Sequence, residues 1–180
     1  EMIDAYNRND IDSLSMISAK NLERIRFKQR LNVHKVLMPR YFAAFYNQNQ
    51  SKALSEKNVR LAIAQATDRT KLNDSIFGGN AIPATSPMIG EILGFSTDVP
   101  SYPHDIELAK TILANAGWGN PDENGILTKG NEKLSIKLTT SIWPELTSVA
   151  AFLQEEWKAI GVEVVIEVLN TSELQQVIKD

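Results

Sequence analysis

Hydrophobic and polar residues alternate most regularly in the last third of the chain. Leu134, Ile136 and Leu138 alternate with polar residues, and β-branched residues occupy every second position of residues 162–168. A period of two predicts two β-strands. Between them, apolar residues recur at the spacing of one helix face, at Leu146, Val149, Ala150, Leu153, Trp157 and Ile160.

The limits of this helix are also marked in the sequence. Pro144 suits a first helical turn, and Gly161 suits the left-handed residue that follows a last turn. A strand, a helix and a second strand in this order predict a parallel strand pair with a right-handed crossover. The sequence therefore predicts an α/β fold, in which ligands usually sit at the carboxyl ends of the strands.

The middle of the chain carries two further helical patterns. The first follows Ser55 and places four apolar residues at positions i, i+3, i+4 and i+7, namely Val59, Ala62, Ile63 and Ala66. We expect another turn or two of helix up to Phe77. The second begins after Asp105, whose carboxylate can accept from free N–H groups, and stops at Gly117. Its predicted inward face is Ile106, Ala109, Leu113 and Ala116.

The first thirty residues are less regular. Residues 11–17 alternate weakly, which predicts a short strand. Ser18 can then start a helix that carries Leu22 and Ile25 and ends near Arg30.

Two later segments are predicted to lack helices. Residues 33–46 predict two extended stretches separated by Pro39, the second over residues 41–46, before a polar loop at 47–54. Residues 78–103 contain eight glycines and prolines, so we expect an irregular loop there. Long loops of this kind are usually functional or wrap a surface.

Composition and charge exclude several classes of protein. The 180 residues are 43% hydrophobic and 23% charged, and no apolar run approaches the length of a membrane span. We expect a single domain, residues 1–180. A net charge of −3 without a block of lysine and arginine argues against nucleic acid as a partner. Because cysteine is absent, there are no disulfides, thiolate metal sites or thiol nucleophiles, and we expect no cofactor.

Both ends of the chain resemble interrupted elements. The first ten residues, EMIDAYNRND, have neither the basic start nor the apolar core of an export signal. They resemble the last turns of a helix, and the chain stops at Asp180 just after another helix begins. We expect both ends to be truncated, and an export signal either lies upstream or does not exist.

Four segments, in one order, resemble the motifs of a known family. The motifs are N…VRxAxxxAxDR at 47–69, G.A.P…P at 77–87, YDxxxAKxLLxxAGW at 102–118 and LQxxWxxIGVxV at 153–164. The matching residues include Val59, Arg60, Asp68, Arg69, Gly79, Pro83, Pro87, Tyr102, Asp105, Lys110, Gly117, Trp118, Gln154, Trp157 and Gly161. In this order and spacing they resemble the family 5 extracellular solute-binding proteins, which serve dipeptide, oligopeptide and nickel ABC importers.

The resemblance implies a type II periplasmic-binding-protein-like lobe with a mixed sheet flanked by helices. Residues 1–180 would form most of the C-terminal lobe, and the N-terminal lobe of the same protein would be a missing partner. We therefore expect no enzyme. The implied protein is a periplasmic or cell-surface lipoprotein that captures oligopeptides or similar small solutes for an ABC permease. A nickel chelate and an oligosaccharide are alternative ligands.

Two other classes of protein remain open at this point. A transcription regulator can carry a similar module as its sensor, and a DNA-binding helix-turn-helix upstream would identify it. An unrelated α/β enzyme is the second, although the chain has no G-x-S-x-G, P-loop or H-E-x-x-H motif.

The end of the first strand in the βαβ unit carries the candidate ligand site. The residues that leave this strand and enter a helix N-terminus are Thr140, Ser141, Ile142 and Trp143. Free N–H groups there favour an anion such as a ligand carboxylate. Trp143 offers an apolar face, and Glu145 could meet a cationic ligand group. The structural alternative is that Glu145 stabilises the first turn and Trp143 is a packing anchor.

Five more residues match the family pattern near the expected cleft or on its helices. Phe45 and Asn47 end an extended stretch that the family uses near its cleft, so Asn47 either orients the ligand or holds the following loop. Arg60, Asp68 and Arg69 fall on a helix whose apolar face is already assigned. For these three, a structural ion pair is favoured over a site role.

Metal binding has little support in the sequence. Residues 120–125, NPDENG, place oxygen side chains at alternating positions, as a calcium loop does. The position that needs a bidentate glutamate is Asn131, however, so a β-turn is the better interpretation. His34 and His104 are far apart in sequence and do not form a ligand-spaced pair.

Overall fold

Helices and short strands follow one another along the chain in a mixed α/β order. The computed structural model describes residues 2–17, 19–36, 38, 41–88, 96 and 98–179. The α-helices in this part are α1 Met2–Asn7, α2 Ala19–Leu22, α3 Lys52–Ser55, α4 Lys57–Ala66, α5 Arg69–Phe77, α6 Ile106–Asn115, α7 Pro144–Lys158 and α8 Thr171–Lys179. A 3-10 helix covers Lys28–Arg30. The strands are β1 Asn120–Pro121, β2 Leu127–Lys129, β3 Glu132–Lys133, β4 Ser135–Ser141 and β5 Glu163–Leu169.

Strands β4 and β5 form a parallel pair that is connected through α7. Their register runs from Ser135 opposite Glu163 to Ser141 opposite Leu169. Ile136 and Val164 are buried, and both strands pack against α7. The predicted strand–helix–strand unit and its parallel pairing are therefore confirmed.

A small antiparallel sheet of order β1-β2-β3 precedes this unit. Backbone hydrogen bonds connect β2 to the residues that lead into β4 and β5, because Leu134 N donates to Leu127 O and Leu127 N donates to Gly161 O, both at 2.8 Å. The sequence analysis expected only a turn at residues 120–125. Strands of two or three residues are too short to show a period, which explains why this sheet was missed.

One hydrophobic core lies between α3, α4, α6, α7 and the parallel strands. The four apolar residues predicted for α4 are fully buried, and so are Ala109 and Leu113 of α6. Trp157 is 2% exposed, and its indole Nε1 donates to Thr67 Oγ1 at 3.0 Å. A large side chain buried in this way contributes about 1.5–3 kcal/mol. The predicted helix faces are thus the ones that pack together.

The helix ends follow the predicted capping chemistry at α6. Asp105 Oδ1 accepts from Leu108 N at 2.8 Å, and Gly117 has the left-handed φ of 90° that stops the helix. The expected start at Ser55 was wrong by one residue, because Ser55 ends α3 and Glu56 precedes α4. The continuation to Phe77 is confirmed as a separate helix, α5.

The N-terminal predictions were largely wrong. Residues 11–17 form no strand, and α2 is only four residues long. Ile25 is 3% exposed but lies outside α2. Ser18 and Pro39 are outside the described residues, and residues 33–36 and 41–46 form no strand. An alternating segment becomes a strand only beside another strand that satisfies its N–H and C=O groups, and the described residues supply none there.

The irregular segment expected at residues 78–103 is confirmed for its described part. Residues 78–88, 96 and 98–103 contain neither helix nor strand. This segment begins with Gly78 and Gly79, both at positive φ.

We expect Gly161→Ala to destabilise the protein much more than Gly130→Ala. Both glycines have a left-handed backbone, with φ of 79° and 61°, so alanine costs about 1–2 kcal/mol at either position. A Cβ on Gly161 would also lie 2.5 Å from Leu127 Cγ, whereas Gly130 has open space within 4 Å. Overpacking adds about 1–3 kcal/mol. Urea unfolding that shows equal losses for the two variants would contradict this packing.

Candidate functional site

The candidate site begins where β4 ends. Ser141 is the last residue of β4 and is 6% exposed. Ile142 N donates to Leu169 O at 3.1 Å, which holds the chain beside the end of β5. Trp143 N donates to Ser141 Oγ at 3.4 Å, so the buried hydroxyl shapes the bend between strand and helix. The carboxyl ends of both parallel strands therefore lie together, as expected for an α/β fold.

Two large apolar side chains are presented at this edge. Ile142 is 60% exposed and Trp143 is 48% exposed. Thr140, one residue before the strand end, is half-buried. An exposed aromatic residue next to backbone polar groups can contact both apolar and polar parts of a ligand. The arrangement suits binding, and it also suits contact with another part of a larger protein.

The N-terminus of α7 differs from that of its neighbour α8. Trp143 precedes α7 without a side-chain cap, and Pro144 has no N–H group to donate. Asn170 Oδ1, by contrast, accepts from the N–H groups of Ser172 and Glu173, each at 3.0 Å, so the start of α8 is satisfied by its own residue. Glu145, in the first turn of α7, is half-buried and places an acidic group beside the exposed apolar pair.

Phe45 and Asn47 lie outside any strand, so the expected strand end was wrong. Phe45 is 86% exposed. Asn47 Oδ1 accepts from Asn49 N at 3.1 Å and from Gln50 N at 3.2 Å, which closes the turn that follows. Of the two roles considered for Asn47, holding the loop is the one that the contacts show. A contact of Phe45 or Asn47 with ligand remains a prediction.

The sequence analysis did not predict the polar cluster that β4 and β5 form together. Glu167 accepts from Thr139 Oγ1 at 3.0 Å and pairs with Lys137 Nζ at 2.8 Å. The hydrogen bond from Lys137, together with that from Thr139, lowers the pKa of Glu167. The sequence signal was the polar alternation in β4 and β5, but only the register reveals which of these residues are paired.

Arg60, Asp68 and Arg69 have structural roles, but the predicted ion pair among them is wrong. Arg60 Nη1 donates to the carbonyl oxygens of Leu54 and Ser55 at 2.7 and 2.9 Å. Asp68 caps α5, and Arg69 Nη1 donates to Tyr102 O at 3.1 Å. For Arg60 and Asp68 the reason is local, because helix ends offer unpaired backbone groups to nearby polar side chains. Arg69 instead meets a carbonyl of the irregular segment.

The turn at residues 120–125 uses its acidic residue internally. Asp122 Oδ1 accepts from Asn124 N at 2.9 Å and from Ile126 N at 3.0 Å, while Lys133 Nζ lies 2.6 Å from Oδ2. The hydrogen bond from Lys133 and those from the backbone lower the pKa of Asp122. The β-turn interpretation is confirmed. Among the described residues, no three His, Cys, Asp or Glu side chains are grouped so as to hold a metal ion.

Within the described ranges, no helix is both long enough and apolar enough to cross a membrane.

A family model and several known binding proteins match this chain. The family model described as "Bacterial extracellular solute-binding proteins, family 5 Middle" matches residues 1–180. The oligopeptide-binding protein AppA of Bacillus subtilis is 30% identical over 128 residues, 69% of this chain and 24% of that protein. The nickel-binding protein NikA of Staphylococcus aureus is 30% identical over 170 residues, 94% of this chain and 32% of that protein.

Solved structures of related proteins also superpose on this chain. AppA of Bacillus subtilis in complex with a nonapeptide superposes with a TM-score of 0.67 and 29% identity, over 71% of this chain and 26% of that one. NikA of Staphylococcus aureus in complex with Ni(L-His)2 superposes with a TM-score of 0.59 and 30% identity, over 75% of this chain and 26% of that one. The chain spans about a quarter to a third of the length of these relatives. With the family model matching from the first residue to the last, the chain belongs to the family 5 bacterial extracellular solute-binding proteins.

Proposed function

We propose that the protein containing this chain is the substrate-binding component of an ABC importer. It captures an oligopeptide or a similar small solute outside the cytoplasm and delivers it to a membrane permease. The observation that carries this proposal is the family match over residues 1–180. Relatives named for oligopeptide, dipeptide and di/tripeptide binding support peptides as the ligand class. The family consists of binding proteins, and we propose that no chemistry is performed on the solute.

The carboxyl end of β4 is the part of this chain that we propose contacts the solute. Thr140 and Ser141 supply short polar groups, and Ile142 and Trp143 supply exposed apolar surface. The uncapped start of α7 offers backbone N–H groups to a ligand carboxylate, and Glu145 favours a ligand amine nearby. A peptide carries both kinds of charged end, which fits this pairing of groups.

A second lobe of the same protein is the proposed partner across the cleft. Five apolar residues of one segment are about half-exposed or more, namely Val33, Val36, Met38, Phe42 and Phe45. Apolar surface of this extent usually marks an interface. The β4–β5 pair is also only two strands wide in the described part of the chain, whereas parallel sheets are usually wider and covered. Both features are explained if the remainder of the protein packs against this apolar segment and against the β4–β5 pair.

A nickel chelate is the second candidate ligand. The nickel-binding relative matches 94% of this chain. The described residues contain no group of three metal-ligating side chains. The proposed form of nickel is a complex that brings ligands of its own, such as the Ni(L-His)2 bound in the related structure.

Native mass spectrometry of the intact protein, purified gently from its source, is expected to show a ladder of bound masses that sequence as mixed short peptides. A single mass that contains nickel by elemental analysis would favour the chelate instead. If no solute is retained, and neither peptides nor nickel–histidine bind on addition, the proposed function is wrong.

Trp143→Ala is expected to weaken binding of the recovered solute about tenfold, because an aromatic contact worth about 1.4 kcal/mol is lost. Leu108→Ala is the matched control. Leu108 is an apolar residue of α6 that is 41% exposed, compared with 48% for Trp143. Isothermal titration calorimetry should show unchanged affinity for the control. Equal affinities for both variants would remove Trp143 from the site.

Two substitutions at Asn47 separate its loop contacts from a ligand contact. Asn47→Asp keeps the oxygen that accepts from residues 49 and 50 but removes the amide donor, which has no hydrogen-bond partner among the described residues. We expect it to retain stability and lose affinity, while Asn47→Ala also loses about 1 kcal/mol of stability. Full affinity in Asn47→Asp would leave only the loop role.

A further inference from the structure

The irregular segment at residues 78–103 is fixed to α5 near both of its ends. At the first end, Asn73 Nδ2 donates to Ala81 O at 2.9 Å, and Ala81 N donates to Asn73 Oδ1 at 3.0 Å. At the second end, Arg69 Nη1 donates to Tyr102 O at 3.1 Å. Asp105 N, just beyond the segment, donates to Gln65 O at 2.9 Å. Both ends of the segment are therefore bonded to α5, the first through Asn73 and the second through Arg69.

His104, one residue beyond the second end of the segment, lies between two carboxylates from different helices. Its Nδ1 is 3.6 Å from Asp68 Oδ2, at the start of α5, and its Nε2 is 3.9 Å from Glu156 Oε2, on α7. Each ring nitrogen therefore faces one acidic oxygen. His104 remains 37% exposed, so solvent protons can reach it.

Two cations complete the surroundings of His104, and each already has its own partner. Lys71 Nζ lies 2.7 Å from the other oxygen of Glu156, and the pKa of Lys71 is raised by this hydrogen bond. Arg69 is bonded to the Tyr102 carbonyl. Glu156 is already paired with Lys71, whereas His104 is the one basic group within ion-pair distance of Asp68 Oδ2 among the described residues. Asp68 is therefore the stronger partner for an imidazolium.

We propose that His104 holds the second end of this segment against α5 and α7 through pH-dependent ion pairs, and that it does so more firmly when its imidazole is protonated. An imidazolium forms an ion pair with Asp68 and a weaker one with Glu156, while a neutral imidazole forms neither. Because protonation of the imidazole strengthens the attachment while both carboxylates stay ionised, the attachment is tighter at about pH 5.5 than at about pH 8. The first end, held by two amide hydrogen bonds of Asn73, does not titrate and keeps its attachment.

Hydrogen–deuterium exchange of the intact protein tests this proposal at Asp105 N, a bonded amide beside His104. Protection factors corrected for intrinsic exchange are compared at about pH 5.5 and about pH 8, values that bracket histidine titration. We expect about two- to fivefold more protection at the lower pH, since a partly exposed ion pair is worth this much. The amide of Ala81, at the first end, should show no such change.

Three variants decide whether His104 is the cause. His104→Gln should remove the pH dependence. His34→Gln should preserve it, because His34 is the other histidine of this chain and is exposed. Asp68→Asn keeps an oxygen to cap α5 but removes the charge, so it should reduce the dependence without destabilising the helix. Circular dichroism at both pH values checks that each variant is folded.

The outcomes that overturn the proposal are distinct from those that overturn the proposed function. The proposed role of His104 is wrong if the protection of the Asp105 amide in the native protein does not depend on pH, or if His104→Gln retains this dependence in full. If His104→Gln does not fold, an unchanged dependence in Asp68→Asn overturns the proposal instead. None of these results depends on which solute the protein binds.

Discussion

The parallel pairing of β4 with β5 is the constraint on which the rest of the structure depends. Parallel neighbours require a crossover, and α7 provides it by packing over both strands. Its buried face, with Leu153 and Trp157, joins one hydrophobic core with residues of α4 and α6. The same crossover directs the start of α7 to the carboxyl end of β4. The core and the candidate site are therefore two consequences of one connection.

Polar contacts at the helix ends decide how the remaining segments attach to this core. Thr67 and Asp68 form the short junction between α4 and α5, and both bond to α7. Arg69, the first residue of α5, bonds to Tyr102 of the irregular segment. Glu156 is only 9% exposed and is placed beside this junction, where Lys71 and the Asp68 N–H group satisfy it. Burial of a carboxylate is tolerated because it is paired and hydrogen-bonded. The junction thus fixes α5, α7 and the end of the irregular segment relative to one another.

Family membership and local geometry answer different questions about this protein. The family assignment identifies a solute-binding protein, but relatives named for oligopeptides and for nickel match this chain at similar identity. Local geometry shows which groups meet at the carboxyl end of β4, where exposed apolar surface, short polar groups and an uncapped helix start coincide.

The sequence by itself determined the elements whose signals are local. The stripe in α4, the Asp105 cap, the Gly117 stop and the two parallel strands could all be predicted because period, capping and turn chemistry act within a few residues. Tertiary structure decided what depends on partners distant in the chain. Residues 11–17 form no strand, and the part of the chain that the structure describes places no strand beside them. Arg60 bonds to carbonyl groups instead of an acid, and His104 meets Asp68 and Glu156. Such contacts are absent from a linear pattern because folding alone brings the groups within reach.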